Sequence, residues 1–106
     1  FQVPGAWELP QTAARIVATG RFDAVVTLGC VIRGETPHFD YVCSQASLGL
    51  GRVATESEIP VVFGVLTTDD VDQAMARARE GPDNKGFEAA TTAVEMVAVF
   101  RQVDAR

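Results

Sequence analysis

The amino-acid sequence predicts an α/β fold: a three-layer α-β-α sandwich whose parallel sheet carries helices on both faces. Three observations predict it. Two short runs, Ala24-Val25-Val26-Thr27-Leu28 and Val61-Val62-Phe63-Gly64-Val65-Leu66, are apolar and rich in β-branched residues, as strands covered on both sides are. Stretches with apolar residues at helical spacing alternate with them. No repeat, low-complexity tract or linker interrupts the pattern, so residues 1–106 read as one domain.

The elements follow in order. Phe1-Gln2-Val3-Pro4 reads as the end of a strand, broken at Pro4 and Gly5, and the upstream part of the natural chain is expected to be missing from the sequence. Leu9, Ala13, Ile16 and Val17 lie on one stripe of a helix expected from Glu8 to Thr19. Pro10 sits in its first turn, where a missing N–H costs little, and Gly20 ends it. The strand that starts at Ala24 continues through Cys30-Val31-Ile32 into a turn at Arg33-Gly34-Glu35-Thr36-Pro37. A second helix, His38 to about Ser57, buries Phe39, Val42, Cys43, Ala46, Leu50 and Val53, and Gly49 and Gly51 suit close packing against a neighbour. After the strand opened by Pro60, Thr67-Thr68-Asp69-Asp70 caps a helix from Val71 to about Arg79. The polar loop Glu80 to Gly86 leads to a last helix, Phe87 to about Val103, with Ala90, Ala93, Val97 and Phe100 on its buried stripe.

Nine basic and fourteen acidic residues give a net charge of −5, with a single lysine and scattered arginines. Nucleic-acid binding rests on neutralising phosphates, and no such footprint is present. No apolar run is long enough to span a membrane, so no membrane partner is expected. Cys30 and Cys43 form neither a CxxC motif nor a disulfide framework, and with no secretory signal the expected compartment is the cytoplasm. There is no P-loop and no GxGxxG, and His38 with Asp40 is not a ligand spacing for a metal.

Ligands of open α/β sheets bind outside the carboxyl ends of the strands. The segments there are Gly5-Ala6-Trp7-Glu8, Arg33 to His38, and Thr67-Thr68-Asp69, and the unusual polar residues collect in them. His38 is the only histidine; it is either a structural histidine or, at a helix start beside a crevice, an imidazole that exchanges protons near neutrality, and its position favours the second. Gly34 to Pro37 is either an anion-binding helix entrance or an ordinary turn in which Thr36 caps the helix. Arg77 and Lys85 read as solvated surface charges or as a clamp for a phosphate, with Glu88 close enough in sequence to pair with Arg77. Trp7 is a core aromatic or, beside Glu8, a stacking wall for a flat hydroxylated ligand. Phe63 reads as core filling.

Taken together, four stretches resemble the lumazine synthase family: Val3 to Glu8, Gly29 to Val42, Phe63 to Thr68, and Asn84 to Ala90. The resemblance covers the whole sequence in the family's order and spacing, and the Gly29–Val42 stretch is its most specific part. It implies a flavodoxin-like sheet and a transferase of riboflavin biosynthesis. That enzyme condenses 5-amino-6-(D-ribitylamino)uracil with 3,4-dihydroxy-2-butanone 4-phosphate, giving 6,7-dimethyl-8-ribityllumazine, phosphate and water, and uses no cofactor and no metal.

By the same resemblance His38 is the proton shuttle, and Arg77 binds the phosphate with help from backbone N–H groups around Glu35 and Thr36. Ala6, Trp7 and Glu8 hold the ribityl chain, and Cys30, Val31 and Ile32 line the pyrimidine pocket. Phe63 reaches the site of an adjacent subunit, Lys85 lies near the pyrimidine, and Glu88 orients Arg77. The implied assembly is a homo-oligomer, a pentamer or an icosahedral shell of pentamers, with sites shared between neighbours; association with a riboflavin synthase is left open. His38 and Arg77 must then converge beside the strand tips, within one chain or across a shared cleft.

Two departures stand out. The family's first strand and helix, with an aromatic that stacks on the pyrimidine, are absent from the sequence, and Arg79-Glu80-Gly81-Pro82-Asp83 is less basic than in many members. The alternatives are a riboflavin synthase of the archaeal type on the same fold, and a non-catalytic ligand-binding or shell-forming homologue.

Overall fold

The structure, a computed structural model, describes residues 1–105. A 3-10 turn at Ala6–Glu8 leads into helix α1 (Leu9–Ala18), followed by strand β1 (Val25–Ile32), α2 (His38–Glu56), β2 (Val61–Thr68), α3 (Val71–Ala78) and α4 (Lys85–Asp104). β1 and β2 pair in parallel, with Val25 opposite Val61 and Ile32 opposite Thr68.

Successive residues of a strand point to opposite faces, and the core divides accordingly. On one face Val25 and Val65 pack with Ala13 of α1 and Leu50 of α2, joined by Leu9, Ile16, Val31 and Val53. On the other face Val62 packs with Ala89 and Ala93 of α4. Helices therefore cover both faces of a parallel sheet, the three-layer α/β arrangement. Between the strands the buried Thr27 hydroxyl donates to the Val62 carbonyl at 2.8 Å. Among the described residues no buried side-chain nitrogen or oxygen lacks a partner.

Two glycines let the layers close. A Cβ on Gly49 would come within 2.7 Å of Pro10, so α1 lies directly on α2 there. A Cβ on Gly64 would sit 2.6 Å from the Thr27 carbonyl and 3.0 Å from the Ala89 methyl. Gly51, by contrast, faces open space and serves no close contact.

Helix ends follow local chemistry. Gly20, at φ +68°, takes the left-handed conformation that stops α1, and its N–H donates to the Val17 carbonyl. The Asp70 carboxylate accepts from the Gln73 N–H and caps α3. Asn84 caps α4 by accepting from the Phe87 N–H at 2.7 Å, while its amide donates to the carbonyls of Ala78 and Arg79.

Four expectations need correction. Phe1-Gln2-Val3 forms no strand: nothing among the described residues pairs with it, and Phe1 is 93% exposed, with its ring edge-on to Phe22. β1 is covered only in part on the α4 side, because α4 lies mainly over β2, and Val26 and Leu28 remain exposed. α4 begins at Lys85, two residues earlier than the apolar pattern suggests, because Asn84 caps it. Its buried stripe runs through Ala89 and not Ala90, which is exposed, since the absent side chain of Gly64 opens a slot for the Ala89 methyl.

Candidate functional site

The carboxyl end of β1 opens into a hollow of about 400 Å³. Its walls are the 3-10 turn, through Gly5, Ala6, Trp7 and Glu8, the strand residues Cys30 and Val31, and the first turn of α2, through His38 and Val42. The 3-10 turn is closed by the Glu8 N–H on the Gly5 carbonyl at 3.1 Å, and it turns Trp7 outward, about half exposed. Val31 leans on the α1–α2 core while Cys30 is exposed. His38 is the first residue of α2, and Thr36 does not cap that helix: Pro37 holds the cap position and offers no side-chain acceptor. An imidazole, a carboxylate, an indole and a small apolar wall suit a flat ligand carrying hydroxyl groups, and can move a proton to or from it.

A second hollow, of about 680 Å³, lies against β2 and the α3–α4 connection. Phe63, Leu66, Thr67, Arg77, Lys85 and Glu88 contribute to its lining. Arg77 donates to the Gln73 carbonyl at 3.1 Å, which leaves other guanidinium N–H groups for an anion. Glu88, expected beside Arg77, instead accepts from the Lys85 ammonium at 3.3 Å, an i,i+3 pairing favoured once α4 starts at Lys85. Phe63 is 38% exposed, too open to serve purely as core.

The residues singled out in the sequence thus fall into two groups. Ala6, Trp7, Glu8, Cys30, Val31 and His38 share the first hollow, and Phe63, Arg77, Lys85 and Glu88 share the second. His38 lines the first hollow and Arg77 the second, and neither hollow is lined by both. Ile32 ends β1, and Glu35 and Thr36 lie exposed on the loop before His38, outside the lining of either hollow. Among the described residues no group of three or more His, Cys, Asp or Glu is gathered as metal ligands would be.

Arg33 was not singled out. Its N–H donates to the Thr68 carbonyl at 2.8 Å, its Nε donates to Asp69 at 2.8 Å, and its guanidinium lies 4.5 Å from the centre of the Phe39 ring. The Asp40 carboxylate stands 3.7 Å away. The hydrogen bond to Asp69 chiefly raises the Arg33 pKa above its ordinary value, against the opposing effect of burial. One turn on, burial pushes the Cys43 thiol up, helped by the Asp40 charge. The signal for Arg33 in the sequence was an arginine one residue past a strand end, followed at helical reach by an aromatic and a carboxylate.

Residues 1–101 match the family model for 6,7-dimethyl-8-ribityllumazine synthase. A protein of that name from Pelodictyon phaeoclathratiforme is 48% identical over 103 residues, covering 97% of this chain and 66% of its own length. The chain thus spans a little under two thirds of that relative. With the fold, the two hollows and these similarities in place, the chain belongs to the 6,7-dimethyl-8-ribityllumazine synthase family.

Proposed function

We propose that this chain joins 5-amino-6-(D-ribitylamino)uracil to 3,4-dihydroxy-2-butanone 4-phosphate, forming 6,7-dimethyl-8-ribityllumazine with release of phosphate and water, in the cytoplasm. The observation that carries this reading is the first hollow, where the family's match coincides with the only histidine, a carboxylate and an indole at a strand end. There Trp7 and Glu8 hold the ribityl chain, and the edges of Cys30, Val31 and Ile32 face the pyrimidine. His38 moves protons as the amine adds to the ketone, as water and then phosphate leave, and as the ring closes.

The second hollow supplies what the first lacks, two cationic side chains for the phosphate and the exposed ring of Phe63. We infer that the hollows are halves of a site completed by a neighbouring copy, in a pentamer or a shell of pentamers: Arg77, Lys85 and Phe63 of one copy face His38 of the next. Glu88 then acts on Lys85 in place of Arg77. Backbone N–H groups around Glu35 and Thr36, on the exposed loop before His38, would help to hold that phosphate.

Both substrates are intrinsically reactive, so much of the acceleration comes from holding them together. Proximity and orientation supply up to about 7–11 kcal/mol, against roughly 3–5 kcal/mol for a well-placed proton-transfer group. Lumazine formation from the two substrates, followed by absorbance, tests the reading. Turnover with both substrates is expected, and its absence in the assembled protein would refute it. Riboflavin formed from lumazine alone would instead point to a riboflavin synthase.

A further inference from the structure

His38 opens α2 with no side-chain cap beneath it, so another contact must fix where that first turn sits. Arg33 makes it. Its backbone N–H extends the β1–β2 ladder one residue beyond Ile32, and its side chain holds Asp69 on one side. On the other side it covers the ring of Phe39 and faces Asp40, the two residues that follow His38.

The contacts continue beyond Asp69. The Asp69 N–H donates to the Gln73 side chain at 2.8 Å, and the Gln73 carbonyl accepts from Arg77 at 3.1 Å. One connected path therefore runs from the first turn of α2 to α3, and touches the elements that build both hollows. Arg33 and Asp69 are half to two-thirds exposed, so the clamp adds little to overall stability. Its geometry is nevertheless closely defined, because a planar guanidinium both stacks and donates in a fixed direction.

We propose that Arg33 is a positioning residue: it sets the placement of the His38 imidazole and, through Asp69 and Gln73, that of the Arg77 guanidinium. The kinetic consequence rests on the condensation proposed above; the structural one does not.

The test compares Arg33→Met and Arg33→Lys with the unmodified, assembled protein. Arg33→Met is expected to shift the thermal midpoint by less than about 8 °C. It should lower kcat by about 10-fold or more, with each KM within about 3-fold of the parent value. Arg33→Lys keeps the charge without the planar fork and should recover only part of the loss. Amide hydrogen exchange in Arg33→Met should quicken over residues 33–43 and 69–77 and stay unchanged over residues 44–56.

Unchanged exchange in the first two segments would overturn the proposal, as would a kcat within about 2-fold of the parent. Full activity in Arg33→Lys would also overturn it, since a point charge cannot hold that geometry. If the unmodified protein forms no lumazine, the functional reading fails on its own, and hydrogen exchange still decides the role of the clamp.

Discussion

Replacing Gly64 by alanine tests the packing that brings α4 onto the sheet. The new methyl would lie 2.6 Å from the Thr27 carbonyl, 2.9 Å from Leu28 Cδ2 and 3.0 Å from the Ala89 methyl. Leu28 is exposed and can turn away. The Thr27 carbonyl is backbone in a paired strand, and Ala89 is buried on a 20-residue helix, so neither yields without moving an element. Overpacking of this kind costs about 1–3 kcal/mol, and the backbone contact argues for the upper half of that range. For a chain of this size, about 2–3 kcal/mol lowers the thermal midpoint by roughly 8–20 °C. Gly51→Ala is the control: it meets nothing within 4 Å inside α2, and should stabilise by roughly 0.5–1 kcal/mol through helix propensity. Melting of the two variants, followed by circular dichroism, gives the comparison. A Gly64→Ala protein that melts with the parent would refute the close approach of α4 and β2.

Three further outcomes are expected. Asn84→Ala removes a cap and two bonds to the end of α3, and should cost about 2 kcal/mol or more in chemical denaturation; Asn84→Asp keeps the cap acceptor and should lose less. His38→Ala should slow lumazine formation about 10²–10⁴-fold without abolishing it, and complete loss with substrate binding intact would contradict a reaction driven mainly by proximity. Arg77→Ala should raise the KM for the butanone phosphate well above that for the uracil, and equal increases in steady-state assays would contradict a phosphate-binding role.

Much of the fold was legible because the relevant signals are local. Alternating apolar runs and helical stripes located both strands and all four helices, and Pro10, Gly20 and Asp70 marked their ends as their chemistry requires. What failed depends on partners distant in sequence. Phe1-Gln2-Val3 has the composition of a strand, yet a strand exists only where a ladder partner lies beside it. On α4 Ala93 is buried as the spacing implies, but Ala89 and not Ala90 shares its face, because Gly64, far back on β2, makes the slot for the Ala89 methyl.

The site divided in the same way. Ala6, Trp7, Glu8, Cys30, Val31 and His38 gather because the ends of neighbouring elements bring them together, which the order of strands and helices already implies. Glu88 illustrates what sequence proximity cannot resolve: Arg77 and Lys85 are both near it in sequence, and the register of α4 selects Lys85. Arg33 is not legible in the same way because its partners, Thr68 at the end of β2 and Asp69 just past it, are distant in sequence.

Complementation tests the two-copy site most directly. His38→Ala and Arg77→Ala chains are unfolded, mixed in equal amounts and reassembled, and lumazine formation at butanone phosphate concentrations well below the Arg77→Ala KM is compared with each variant alone. If neighbouring copies contribute the two residues, random mixing restores the native pair at about a quarter of the interfaces, with activity to match. A mixture no more active than the better single variant would contradict a site shared between copies.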